Sequence, residues 1–184
     1  MLQVLVRVAI SGPPGSGKTT QAKRIAEYYG LKYFSAGEIF RECARSRGLS
    51  LEELSLLAVK DPRIDLEIDR RTMEVAKEDN IVLDGHLSAW IVSDMMDVKI
   101  LVTAPVSLRI LRIAGRDNIP LEKAYRETII RENAQRKRFM EFYGIDLDDL
   151  SIFDVVINTR IVGVDEAFQI IRTVIDKVLK GNRG

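Results

Sequence analysis

The sequence predicts an α/β fold in which helices cover both faces of a five-stranded parallel sheet. Short, continuously apolar and β-branched segments alternate with longer amphipathic segments along the whole chain, as strands buried on both faces and their crossover helices do. The 184 residues are 46% hydrophobic and 30% charged, which is ordinary for one globular domain. With no internal repeat or linker, residues 1–184 are expected to form a single three-layer domain.

Five apolar runs are the predicted strands. The first leads directly into a glycine-rich loop, so that loop is expected at the carboxyl edge of the sheet. Residues 4–10, 31–35, 80–85, 97–104 and 153–159 form these runs.

The predicted helices carry recognisable end signals. Ser35 with Glu38, and Ser50 with Glu53, have the spacing of a capping box. Asp61 is expected as an N-cap with Pro62 at the first helical position. The helices are predicted over residues 17–29, 35–48, 50–60, 61–80, from 105 onward, 120–143 and 163–181. Two helical segments are longer than a crossover needs, at about 35–80 and about 112–144, and we expect them to cover the ligand-binding edge as an insert and a lid.

Charge, cysteine content and the length of the apolar runs indicate where the protein is found and which partners it lacks. A net charge of +1 predicts no attraction of the whole molecule to nucleic acid or membrane. The single cysteine, Cys43, excludes an internal disulfide and fits a reducing compartment. No apolar run approaches the ~18 residues that a membrane span needs. We therefore expect a cytoplasmic protein without a membrane partner.

The glycine-rich loop matches the pattern G-x-x-x-x-G-K followed by Ser or Thr at every fixed position. Its backbone N–H groups are expected to surround phosphate oxygens, with Lys18 reaching the β- and γ-phosphates and the Thr19 hydroxyl binding Mg²⁺. The sequence thus predicts an ATP site with Mg²⁺ as cofactor. The ATP-binding residues are predicted to be Gly12, Pro13, Pro14, Gly15, Ser16, Gly17, Lys18, Thr19 and Thr20.

Other classes of nucleotide-binding protein lack their signatures here. The chain contains neither the Asp-x-x-Gly turn nor the Asn-Lys-x-Asp base reader of a GTPase. Gly85 follows Asp84, where a motor or helicase would carry a second acidic residue. A small kinase remains, in which a lid excludes water so that an organic acceptor attacks instead.

Later motifs carry a more specific resemblance. The segments ISGPPGSGKTT, FSAGEIFR, DPRIDLEIDRR, IVLDGHLSAWI and YGIDLDDLSIFDVVINT together resemble the archaeal cytidylate kinases, which are nucleoside monophosphate kinases, across nearly the whole chain. The resemblance implies a P-loop kinase fold with a helical acceptor-binding insert and a lid. It also implies transfer of the ATP γ-phosphoryl group to CMP or dCMP.

On the acceptor side, the resemblance implies that Arg41 grips the α-phosphate and that Ser35 and Gly37 line the same pocket. A guanidinium matches the paired oxygens of a phosphate. Ser35 has an equal explanation as a helix cap. His86, after Gly85, departs from the arginine usual in the family, and we hypothesise that it contacts the acceptor phosphate and makes acceptor binding pH-dependent.

Asp84 ends the third strand, where it is expected to bind Mg²⁺ through water or to orient the acceptor; a turn residue is the alternative. Family lids carry an R-E-x-x-x-R-x-R pattern, matched by Arg131, Arg136 and Arg138. We assign Arg131 and Arg136 to catalysis with Lys18 and Asp84, and Arg138 to the acceptor.

The lid pattern leaves a geometric choice open. On one straight helix, Arg131, Gln135 and Arg138 share a face, whereas Arg136 falls on an apolar stripe with Tyr125, Ile129, Met140 and Tyr143. Either the helix breaks near Asn133 or Arg136 points into a cavity that phosphates fill.

Other charged residues have two explanations each. Arg112 and Arg116 are expected to flank the adenine or phosphates of ATP, or else to favour the C-terminal dipole of their helix. Asp65 and Asp69 share a helix face suited to a base amino group, and Arg70 and Arg71 suit base or sugar oxygens. Ion pairs within that helix would explain them as well.

Two alternatives to a (d)CMP kinase stay open. One is a kinase for AMP, UMP or a small metabolite such as shikimate. The other is an ATP-binding module acting on RNA through the basic run RENAQRKRF, although the near-neutral total charge gives no support to a stable nucleic-acid partner. By analogy with kinases of this size we expect a monomer.

Overall fold

The structure, a computed structural model, describes residues 6–181 and confirms the predicted α/β fold. Five parallel strands form one sheet in the order β2-β3-β1-β4-β5. Residues 4 and 5 of the first predicted strand lie outside the described residues. The strands are β1 (Arg7–Ser11), β2 (Lys32–Ser35), β3 (Ile81–Asp84), β4 (Val98–Thr103) and β5 (Val155–Asn158).

The helices agree with the predicted segments to within a few residues at their ends, and a short segment after β3 was not predicted. That segment contains α5 and a 3₁₀ turn at Ser93–Met95. The helices are α1 (Lys18–Tyr29), α2 (Ala36–Ser46), α3 (Leu51–Lys60), α4 (Arg63–Ala76), α5 (Ser88–Ile91), α6 (Val106–Asp117), α7 (Leu121–Tyr143) and α8 (Val164–Gly181). Within residues 6–181, no helix combines the length and apolarity needed to cross a bilayer.

Local caps explain several helix starts. At α3 the Ser50 hydroxyl accepts the Glu53 N–H at 3.1 Å and the Glu53 carboxylate accepts the Ser50 N–H at 2.8 Å, a complete capping box. At α2 the Ser35 hydroxyl accepts the Glu38 N–H at 3.3 Å. Helix α4 begins at Arg63, so Pro62 occupies the N-cap and the expected N-cap, Asp61, lies one residue earlier.

Each face of the sheet packs on its own set of helices, which produces three layers. On one face, Val8, Ile10 and Ile100 pack in a cluster with residues of α1 and α8 such as Ile25 and Ile171. On the other face, alternate strand residues such as Ala9 and Leu83 pack in a second cluster. Side chains of successive strand residues point to opposite faces, which is why these strands are apolar throughout.

The sheet topology brings distant segments to one edge. β1 is central and pairs with β3 and β4, so its carboxyl end lies beside the ends of both. Ile10 is in register with Asp84 across β1 and β3. The carboxyl ends of neighbouring strands in a parallel sheet are the usual place for a ligand site.

Helix α7 runs without a break from Leu121 to Tyr143, so the predicted choice for Arg136 between a helix break and an internal cavity is wrong on both counts. The predicted shared face is correct, since Arg138 is buried and Arg131 and Gln135 are half-buried. Arg136 itself is exposed, as are Tyr125 (56%) and Met140 (50%) of its stripe, whereas Ile129 and Tyr143 are half-buried. A charge on that stripe therefore keeps its hydration.

Candidate active site

The glycine-rich loop leaves β1 and enters α1 in a conformation that only glycine accommodates at two positions. Gly12 has φ +151°, and a Cβ there would lie 2.0 Å from the Val102 carbonyl oxygen. Gly15 has φ +78°, and its Cβ would lie 2.7 Å from the Arg109 carbonyl oxygen. The loop thus wraps closely between β4 and α6, which leaves the first amides of α1 directed at the carboxyl edge. That arrangement suits a bound anion.

Two arginines of α6 hold the loop from behind. Arg109 donates to the Pro14 carbonyl at 3.1 Å and to the Ala104 carbonyl at 3.0 Å. Arg112 donates to the carbonyls of Gly15 and Ser16 at 3.3 and 3.4 Å. It also donates to the Thr159 hydroxyl at 2.8 Å, and that hydroxyl donates to the Ser16 carbonyl at 2.9 Å. These bonds hold the loop carbonyls away from the ligand side, and within the loop the Ser16 N–H donates to the Pro13 carbonyl at 3.2 Å.

Positive charges converge in front of the loop. Burial lowers the pKa of Lys18, and the charges of Arg116, Arg131 and Arg41 lower it further, while Asp84 opposes the change. Burial, Arg116 and Arg41 likewise lower the pKa of Arg131. The buried Nε of Arg131 has no hydrogen-bond partner among the described residues. Clustered cations with an unpaired donor are destabilising alone, so this centre fits a polyphosphate.

Asp84 and Thr19 meet at the end of β3. The Thr19 hydroxyl donates to Asp84 Oδ2 at 2.7 Å, and the Tyr33 hydroxyl donates to the same oxygen at 2.8 Å. Asp84 is 1% exposed, and its Oδ1 has no partner among the described residues. A buried carboxylate oxygen beside a hydroxyl suits Mg²⁺, which usually binds one or two protein oxygens together with phosphates and water.

The residues expected to bind the acceptor phosphate lie at the start of α2. Ser35 is buried and caps this helix, and a Cβ on Gly37 would lie 3.5 Å from Arg41 Nη1. Arg41 has a half-exposed side chain whose Nη2 is 4.0 Å from Glu38. A Cβ on Gly85 would lie 3.0 Å from the Cβ of Ala36, the first residue of α2, so Gly85 lies against the start of this helix. The predicted group is therefore brought together at one edge.

His86 lies beside Gln135 and Phe139 and close to positive charges, with no acidic partner in the described part of the chain. Its Nδ1 lies 2.9 Å from Gln135 Oε1, and its ring packs edge-on against Phe139. Burial and the positive charge of Lys18 lower its pKa to about 3. So low a pKa favours a neutral ring at physiological pH, which disfavours the hypothesis that titration of His86 makes acceptor binding pH-dependent. The hypothesis stays a prediction, to be tested by the pH dependence of the acceptor KM.

Asp65 and Asp69 do share a face of α4, and that face packs on α7. Arg138, 1% exposed, donates to the two Asp65 oxygens at 2.6 and 3.4 Å and to the Ser55 carbonyl at 3.2 Å. Tyr143 donates to Asp69 Oδ2. Burial raises the pKa of Asp69 to about 6. Contact of Arg138 or Asp65 with an acceptor therefore requires their ion pair to open.

The remaining predicted arginines have surface partners. Arg70 and Arg71 pair with Glu74 and Glu67 on the same helix, as the alternative explanation expected. Arg136 donates to both oxygens of Asp148, at 2.9 and 3.1 Å. Arg116 pairs with Asp117 at 2.7 Å beside the cation cluster. Thr20 is exposed. In the basic run of α7, Lys137 also pairs, with Glu141 at 3.8 Å.

Sequence reasoning missed several residues that shape the site. Arg109, Gln135, Tyr33 and Thr159 each contact a predicted site residue or the loop backbone, and Glu132 pairs with Arg109. Their partners are distant in sequence, and no motif marks them. The fixed spacing of Arg109 and Arg112, one turn apart in a helix that follows a strand, is the one local signal that could have indicated a shared role.

Comparison with known proteins agrees with this geometry. A profile of the cytidylate kinase-like family matches residues 7–161. The chain is 67% identical to a cytidylate kinase of Desulfurococcus amylolyticus, with 98% of each chain covered. It is 66% identical to one of Staphylothermus marinus, with 96% of this chain and 99% of the relative covered.

A solved structure of a shikimate kinase from Bacteroides thetaiotaomicron covers 94% of this chain and 99% of its own, with a TM-score of 0.63 and 15% identity. At that identity the likeness shows the fold alone, which is that of P-loop kinases. The profile match and the full-length relatives show more: this chain belongs to the cytidylate kinase-like family.

Proposed function

We propose that this protein is a cytidylate kinase, which transfers the γ-phosphoryl group of ATP to CMP or dCMP and releases ADP with CDP or dCDP. An oxygen of the acceptor phosphate attacks the γ-phosphorus, and the bond from that phosphorus to the bridging oxygen of ADP breaks. The observation that carries the proposal is the cation cluster at the loop. The positive charge of Arg131 lowers the pKa of Lys18 there, and the buried Nε of Arg131 has no hydrogen-bond partner within residues 6–181.

On the donor side, we assign the triphosphate to the loop amides of residues 12–19. Lys18 contacts the β- and γ-phosphates, and Arg112 and Arg116 lie on the donor side of the same centre. Mg²⁺, held by Thr19 and through water by Asp84, would neutralise phosphate charge when bound. Arg131 stabilises the negative charge of the transferred group, because a preorganised cation in a dry site is worth far more than one in water.

On the acceptor side, Arg41 holds the α-phosphate with help from Ser35, Gly37, Gly85 and His86. The neutral ring of His86 offers a hydrogen bond rather than a charge. The acceptor base is assigned to the α4 side, where Asp69 faces α7. Five of the assigned residues already have a carboxylate or guanidinium partner, so those ion pairs must open before the residues can act on a substrate. They are Asp65, Arg70, Arg71, Arg138 and the proposed catalytic Arg136 of the lid.

In this proposal the whole chain is one kinase domain. The acceptor-binding insert is residues 35–80 and the lid is residues 112–144, and one chain holds both substrates as a monomer. The insert has its own apolar cluster, including Cys43, Leu54 and Ile64. A separate small core lets such a unit move as a body around the sheet edge.

A coupled ADP-release assay tests the proposal. Purified protein with Mg·ATP is offered CMP, dCMP, UMP, AMP, GMP and shikimate in turn. We expect CMP or dCMP to give the highest kcat/KM. A higher kcat/KM on AMP, UMP, GMP or shikimate, or no transfer to either cytidine nucleotide, would overturn the assignment.

A further inference from the structure

Arg109 joins three separate parts of the active site. Its side chain is 7% exposed, and its guanidinium donates to the Ala104 carbonyl after β4 and the Pro14 carbonyl in the loop. It also pairs with Glu132 of α7 through both carboxylate oxygens, one of them at 3.1 Å. A bidentate pair is geometrically demanding, so the loop and the lid helix are held in one relative position.

The loop contact involves backbone as well as side chain. Gly15 passes so close to Arg109 that an added Cβ would lie 3.0 Å from its Cα. The loop therefore packs directly against α6 at Arg109. A shift of Arg109 would move the loop, and the loop carries the amides assigned to the triphosphate.

The lid contact controls the direction of a different side chain. Glu132 follows Arg131 on α7, and successive residues of an α-helix project about 100° apart. Anchoring Glu132 to α6 therefore sets the rotation of α7 about its axis. With that rotation, the half-buried Arg131 lies close enough to Arg116 and Arg41 to feel their charges, and its buried Nε has no partner among the described residues.

We infer that Arg109 and Glu132 form a positioning pair that locks the phosphate-binding loop to the lid helix and thereby aims Arg131 at the transferred phosphoryl group. The inference rests on the proposed function, since it names how that site is assembled. In the proposed arrangement, neither Arg109 nor Glu132 contacts a substrate. Their effect passes entirely through the loop and Arg131.

A purely structural ion pair would behave differently when it is broken. Loss of a buried pair lowers the free energy of unfolding whatever its role. A positioning pair must in addition lower kcat, because a displacement of about 1 Å can cost about 100-fold in rate. It must also make the contribution of Arg131 depend on Glu132.

The test is a double-mutant cycle of Glu132→Gln and Arg131→Ala, with transfer to CMP as the readout. Glutamine keeps the shape of Glu132 but not its charge. We expect Glu132→Gln to lower kcat about 100-fold with the CMP KM changed less than about threefold. In that background, Arg131→Ala should cost at least tenfold less than it does in the wild-type chain. Arg109→Lys keeps the positive charge but loses the two parallel N–H donors of the guanidinium, so it should lower kcat about as much as Glu132→Gln does.

Glu141→Gln is the matched control, because Glu141 lies on the same helix in an exposed pair with Lys137 and should leave kcat unchanged. Additive effects of the two substitutions, or an unchanged kcat in Glu132→Gln, would overturn the inference. If circular dichroism shows that Glu132→Gln does not fold, Glu132→Asp replaces it in the double-mutant cycle, and additive effects with Arg131→Ala would again overturn the inference. Absence of transfer to both CMP and dCMP by the wild-type chain would instead refute the proposed function.

Discussion

Replacing Asp69 with asparagine is expected to stabilise the protein at neutral pH. Asp69 lies on the face of α4 that packs against α7, where the Tyr143 hydroxyl donates to it. Burial raises its pKa from 3.8 to about 6, and the charge of Asp65 adds to this, while Tyr143 and Arg138 oppose it. The folded state therefore holds this carboxylate in an environment that disfavours its charge.

The sign and size follow from proton linkage. Between pH 3.8 and about 6 the unfolded chain loses this proton while the folded chain keeps it, so the free energy of unfolding falls as pH rises. The complete loss is the difference between about 6 and 3.8, multiplied by 1.36 kcal/mol per pKa unit, or about 3 kcal/mol. Asparagine carries no charge and still accepts from Tyr143. The gain is expected to be about 2–3 kcal/mol at pH 7 and roughly half that at pH 5.

Unfolding in guanidinium chloride, followed by circular dichroism at pH 5 and pH 7, measures the change. Asp65→Asn is the matched control, one helical turn earlier on the same face. It should lose about 3–5 kcal/mol, because the buried Arg138 guanidinium loses its counter-charge. An Asp69→Asn variant that is less stable than the wild type at pH 7, or whose gain does not grow from pH 5 to pH 7, would refute the reasoning.

The same variant tests the proposed acceptor role of Asp69. A carboxylate kept at a cost in stability is expected where function needs it. If Asp69 contacts the cytosine, the KM for CMP should rise while the fold becomes more stable. An unchanged CMP KM would remove Asp69 from the acceptor site.

Four further variants test the other assignments. Lys18→Ala should abolish transfer while the circular dichroism spectrum stays native, and more than a tenth of wild-type activity would contradict the loop assignment. Arg41→Ala should raise the acceptor KM about 10- to 100-fold, as expected for loss of a hydrogen bond to a charged group, with the ATP KM unchanged; an unaltered acceptor KM would count against its role. For His86→Gln, the ratio of its acceptor KM to that of the wild type should stay constant from pH 5.5 to 8, because burial and Lys18 lower the pKa of His86 to about 3. A ratio that changes severalfold with a midpoint near pH 6.5 would support the titration hypothesis instead. Ser50→Ala should lower the free energy of unfolding by about 1 kcal/mol through loss of the α3 cap, without affecting kcat, and an unchanged unfolding midpoint would show that the cap contributes nothing.

The features that the sequence predicted are those set by neighbours along the chain. Gly12, Gly15 and Lys18 belong to one short loop, whose conformation and chemistry depend on residue types a few positions apart. The capping box of Ser50 and Glu53 and the stop of α7 at Gly144 are local in the same sense. Strand runs could be recognised because both faces of every strand are covered, so the apolar pattern is continuous.

Features that depend on contacts across the fold were missed or predicted wrongly. Arg136 was expected to need a helix break or a cavity, yet its side chain is exposed and pairs with Asp148. The pKa of His86 depends on burial by distant residues and on the charge of Lys18, neither of which its own neighbours reveal. A 3.6-residue period shows which residues share a face but not what that face packs against.

The sequence alone therefore determined the fold class, the phosphate-binding loop and the resemblance to a kinase family, because each is encoded in short-range patterns of residue type. Only the tertiary structure decided which charges are paired. Arg138 meets Asp65 across 73 positions and Arg109 meets Pro14 across 95. Such pairings depend on how the helices dock around the sheet edge, and they separate the cations that are committed to the fold from those left for a ligand.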